Sequence, residues 1–151
     1  MSDIQLALRE TISEILESFA FLFAEPVEDA PLPEGASDYR YASVNFNGAS
    51  QGMLFVCADR DLCAELAANV LGAEAEEVDE ACAMDALKEL ANIVVGSLMA
   101  RLFGTDKVCE LSAPDACAVD LGKVRELAAD RSNIRLLIDD RMMIAGTVLA
   151  E

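Results

Sequence analysis

The sequence predicts one α/β layered domain over residues 1–151, a mainly antiparallel sheet with two long helices packed on it. Three observations carry this reading. Residues 3–23 and 80–103 space their apolar side chains at helical period. Two hairpin signals are present, "YRYASVNF" and "GMLFVCA" around "NGASQ", and later "IRLLID" with "MMIAGTVLA". Both halves run in the order long helix, irregular stretch, hairpin, which predicts a coarse internal pseudo-repeat although the halves share little residue identity. A chain of 151 residues holds one core of useful size and not two.

The first helix rests on Ile4, Leu8, Ile12, Ile15, Leu16, Phe19 and Leu22, with Glu14 and Glu17 expected on its solvated side. The segment "EPVEDAPLPEGASD" holds three of the four prolines and reads as an irregular acidic connection. The first hairpin follows, turning at Asn47-Gly48, and then a short helix over Asp61–Leu71 that Gly72 stops. The run "AEAEEVDE" lacks the glycine and ordered spacing of a calcium loop, and its carboxylates suit the positive end of the next helix. That helix spans about Glu80 to Phe103, with Gly104 as its cap. A strand at Val108–Ser112, a turn at Ala113–Asp115, a short strand or bend at Cys117–Val119 and a short helix at 121–129 come next. The second hairpin turns at Asp139-Asp140-Arg141, and its strands, apolar on both faces, belong in the middle of the sheet.

Charge and composition narrow the function. With 28 acidic and 11 basic residues the net charge is −17, a field that repels nucleic-acid backbones and anionic membranes and steers a basic patch inward. No stretch is long enough to span a bilayer, and "MSDIQLALRE" has neither the basic nor the apolar region of a secretory signal. Five cysteines without a C-x-x-C pair fit neither a disulfide framework nor a zinc site, and a cytoplasmic location is expected. Cys57 and Cys63 lack the basic setting that would make a redox pair. The chain has no histidine, which excludes Ser-His-Asp and Cys-His catalysis and histidine metal ligation. It has no Gly-rich phosphate loop either.

One stretch of the long helix, "DALKELANIVVG" (85–96), is a poor choice for packing alone. Asn and Gly in a helix interior cost roughly 0.7 and about 1 kcal/mol relative to Ala. At 100° per residue Leu87, Ala91, Val94 and Leu98 fall within about 60°, with Met84, Leu90 and Leu102 beside them. Asp85, Glu89, Asn92 and Gly96 occupy another arc of about 60°, nearly opposite. The costly residues therefore face away from the core. Glu89 and Asn92 stand side by side there, and Gly96 leaves bare backbone that another molecule can approach.

These residues resemble the signature of the CheX/CheC chemotaxis phosphatases, E-x-x-N followed by glycine four residues later. "ILESFAFLFAEP" and "LSAPDACAVD" resemble the opening helix and the Pro-containing turn of CheX-type domains, so the likeness covers most of the chain. The resemblance implies a phosphatase acting on the aspartyl phosphate of a CheY-type response regulator. Asn92 would hold the attacking water and Glu89 would pair with a basic residue of the regulator, with Gly96 giving clearance and Asp85 a rim contact. It implies no cofactor of the protein's own, the Mg²⁺ belonging to the phosphorylated regulator. Residues 1–44 contain no asparagine, so a single site per chain, as in CheX rather than CheC, is implied, and a homodimer with it. Two alternatives stay open: a non-catalytic regulator-binding or flagellar-switch-like module, and a phosphatase for a regulator outside chemotaxis.

Overall fold

Ser2 opens helix α1 (Asp3–Ala20) with a capping box, its hydroxyl accepting from the Gln5 N–H while the Gln5 amide oxygen accepts from the Ser2 N–H. In the computed structural model, which describes residues 1–28, 31–33 and 38–150, α1 stops three residues before the apolar period ends. Phe21 adopts a left-handed conformation (φ 55°) and its N–H returns to the Leu16 carbonyl, while the Asn69 side chain satisfies the Ala20 carbonyl at 2.8 Å.

The acidic connection is not wholly irregular, because Glu25–Val27 forms a short strand β1; residues 29–30 and 34–37 of that connection lie outside the described residues. The hairpin β2 (Tyr39–Asn47) and β3 (Gln51–Asp59) follows, closing at Asn47 opposite Gln51. Helix α2 (Arg60–Leu71) is capped by the Asp59 carboxylate and by Gly72. Next come α3 (Glu80–Phe103), β4 (Glu110–Leu111), β5 (Asp115–Val119) and α4 (Leu121–Ala129). The hairpin β6 (Ile134–Ile138) and β7 (Arg141–Leu149) closes the chain, its two-residue turn placing both Asp139 and Asp140 in the left-handed region. The strand expected at Val108–Ser112 shrinks to two residues and the next one lengthens to start at Asp115. Both pair with β2, and Pro114, which has no N–H to donate, separates them.

The sheet is antiparallel throughout, in the order β1-β6-β7-β3-β2, with β4 and β5 sharing the outer side of β2. The expected central position of the last hairpin is correct. Pairing also crosses between the halves, since β1 of the first half lies on β6 and β4–β5 of the second half lie on β2. The order is thus nearly the same read from either end.

Alternation sorts the strands into two faces. Ala42, Val44, Phe46, Leu54, Val56, Ala58, Leu136 and Met143 face α1, α2 and α3 and form the main core. Phe55, Cys57, Met142 and Ile144 face the other way, against Val124 and Leu127 of α4. Helix α3 packs with α1, α2 and β2, and Leu87, Leu90, Val94 and Leu98 are completely buried. At about 1.5–3 kcal/mol per large apolar side chain, this stripe fixes which way the helix faces. No helix among the described residues is long and apolar enough to cross a membrane.

Candidate functional site

Helix α3 is held firmly at both ends. At its start the Asp79 carboxylate accepts from the Cys82 N–H at 2.8 Å, a bond that holds the Asp79 carboxyl below its ordinary range. Glu80, the first helical residue, receives Arg40 Nε from β2 at 2.6 Å and lies 3.4 Å from Arg60 Nε of α2. Arg40 is buried and also donates to Asp38 and to the Tyr39 carbonyl. The hydrogen bond to Glu80 raises the arginine's pKa and lowers that of the carboxyl, each partner stabilising the other's charge. At the other end Arg101 reaches Glu14 at 2.6 Å and Glu10 at 3.4 Å on α1, so Glu14 is exposed as expected but engaged. Gly104 (φ 87°) turns the chain out, its N–H closing on the Ala100 carbonyl.

Between these braces lies the stripe that the helical period predicts. Asp85, Glu89 and Gly96 are exposed and Asn92 is half-buried. Asp85 pairs with Lys88 at 3.5 Å along the helix. Glu89 and Asn92 have no hydrogen-bond or ion-pair partner among the described residues. One turn of helix sets them side by side, about 5–6 Å apart at their Cβ atoms. A Cβ built at Gly96 would meet nothing within 4 Å, so no neighbour in the fold requires glycine there. The structure thus brings all four residues onto one outward face, two of them without partners.

Such a face can receive a basic group on the Glu89 carboxylate and offer the Asn92 amide as an uncharged donor and acceptor beside it. Among the described residues no three His, Cys, Asp or Glu side chains gather so as to hold a metal ion. Burial pushes the Cys57 thiol up to about 12 and also raises Cys63, which keeps both protonated and unreactive. Sequence reasoning missed Arg40, because an arginine between two tyrosines in a strand reads as a solvent-facing residue. It also missed a cleft beyond Gly96, although Met99, Ala100 and Phe103, which line it, share the helical arc of the motif.

The chain thus combines a duplicated helix–hairpin fold with an acid–amide pair that has no side-chain partner among the described residues, on a helix tied at both ends. The sequence model for "Chemotaxis phosphatase CheX" matches residues 40–135, and the chain belongs to that family. Among solved structures with the same fold, a CheX from Vibrio vulnificus is 15% identical with a TM-score of 0.74, over 99% of this chain and 97% of that one. The CheX of Borrelia burgdorferi, solved as a complex with CheY, BeF3 and Mg²⁺, is 14% identical with a TM-score of 0.69, over 99% of both chains. Thermotoga maritima FliY shares the fold at 15% identity and a TM-score of 0.62, over 98% of this chain and 87% of that one. No curated protein sequence matches.

Proposed function

We propose that this protein hydrolyses the aspartyl phosphate of a CheY-type response regulator. One observation carries the reading. On a helix whose ends are both tied down, Glu89 and Asn92 project without partners, next to a glycine that the fold itself does not need. Membership of a chemotaxis phosphatase family and the CheY-bound state of the Borrelia burgdorferi CheX support it.

In this reading Asn92 enters the regulator's phosphoacceptor site and orients a water in line with the phosphorus. The water oxygen bonds to phosphorus as the acyl phosphate P–O bond breaks. The aspartate leaves as a carboxylate and the water's proton departs with inorganic phosphate. A neutral amide suits the task because a carboxylate would repel the phosphoryl oxygens. Glu89 pairs with a basic side chain beside the phosphoaspartate and sets the docked register, while Asp85 contacts the rim. The regulator brings its Mg²⁺, and this chain supplies no cofactor. A cytoplasmic location and a homodimer belong to the same reading, the dimer being checked by sedimentation equilibrium.

Single-turnover decay of the phosphorylated regulator is the test. Wild type should accelerate decay, Asn92→Ala should abolish at least about 90% of the acceleration while still binding, and Glu89→Ala should weaken binding itself. If wild type binds regulators but accelerates decay of none, the protein is an adaptor. FliY, with the same fold, shows that this architecture is not confined to proteins named CheX.

A further inference from the structure

Beyond Gly96 the outward stripe of α3 changes character. Met99, Ala100 and Phe103 fall within the same arc of about 100° as Asp85, Glu89, Asn92 and Gly96, but they are apolar. They form one wall of a cleft of about 290 Å³, closed on the other side by the segment after the helix, where Val108 is 81% exposed and Leu111 37% exposed. Gly96 lines this cleft as well, so cleft and motif are continuous.

The cleft is built into the backbone. A Cβ on Gly48 would lie 2.7 Å from the Val108 carbonyl oxygen, so only glycine lets the β2–β3 turn press onto residues 108–109 and hold that wall in place. After Gly104 ends the helix, the same segment faces its last turns across the cleft. Among the described residues Lys107 is the one basic side chain lining the cleft. The stripe is therefore acidic at its first end, amide in the middle, and apolar with a cation at its last end, a polarity that fixes which way round a partner can dock. From Asp85 to Phe103 it runs about 27 Å, close to the width of one small domain.

Resting on the function proposed above, we infer that this cleft is the second half of the regulator-docking face. Its occupant is an apolar side chain of the same regulator, carried on a loop flanking the phosphoacceptor site, and its fit selects among regulators. Asn92 then governs the chemical step, and the cleft governs which regulator reaches it.

The test uses Val108→Glu, at an exposed position outside regular structure, and Ala100→Leu, which fills the cleft while remaining helix-compatible. Affinity is measured for a CheY-type regulator held in its phosphorylated form by beryllofluoride and Mg²⁺. Both variants should raise Kd about tenfold, while the decay rate at saturating protein stays within about twofold of wild type. An unchanged Kd in both variants, with Asn92→Ala still inactive, overturns the cleft and leaves the phosphatase reading standing. An unchanged Kd with altered sedimentation assigns the cleft to a second copy of this chain and likewise overturns the inference. Failure of wild type to bind any regulator overturns the phosphatase reading and the cleft with it.

Discussion

A methyl group added at Gly96 meets no atom within 4 Å, while the helix around it gains from any residue with a side chain. Gly96→Ala should therefore stabilise the free protein by about 0.5–1 kcal/mol, seen as a rise of a few degrees in thermal unfolding. The same methyl stands where the regulator is proposed to approach, so regulator binding should weaken. Opposite signs in the two assays would be hard to obtain from a glycine with a purely structural role. At this scale the shared outward face of Asp85, Glu89, Asn92 and Gly96 was legible, since their order follows helical period and the structure places the four on one side of α3. Arg40 was not legible. Its partner Glu80 is forty positions away, and only the packing of β2 under the start of α3 turns a strand arginine into a buried one.

Helix α3 behaves as a beam fixed at both ends, and the fixings can be loosened one at a time. Arg40→Met should cost about 1–3 kcal/mol, because it removes charge-assisted bonds to Glu80 and Asp38 but leaves both carboxylates able to reach water. The pH dependence of that loss has a definite sign. Glu80 has a folded-state pKa depressed by Arg40, so its contribution is present above the ordinary glutamate range and lost as pH falls through the folded value. Asp59, whose pKa burial raises, works in the opposite direction. The stability difference between wild type and Arg40→Met cancels most of that second effect, and it should shrink on acidification below about pH 4.5 in denaturant titrations. Long helices and hairpins were legible because their periods repeat over many residues. β1 was hidden because it is three residues long, contains Pro26, and pairs with β6 near the other end of the chain. The early end of α1 was hidden for a related reason, since the carbonyl of Ala20 is satisfied by Asn69 from α2.

For the whole molecule, a net charge of −17 sets two salt effects against each other. Raising NaCl from about 20 mM to about 0.3 M screens self-repulsion, so thermal unfolding should move upward by a few degrees. The same screening should slow association with a basic regulator surface, which stopped-flow binding would register as a falling on-rate. The fold class and the pseudo-repeat were legible at this scale from element order, but the crossed pairing was not, because no local pattern says which half a strand will join. That crossing has a consequence for how the chain is born. During synthesis β3 leaves the ribosome about 80 residues before β7, the strand that will cover its open side. At roughly 5–20 residues per second the wait is about 4–16 s. Throughout it, the nascent first half offers an unsatisfied ladder to any neighbouring chain, and its own edge strand has nothing yet to lie against. A ribosome that paused after β3 had emerged and before β7 followed would present that bare edge for as long as it waited.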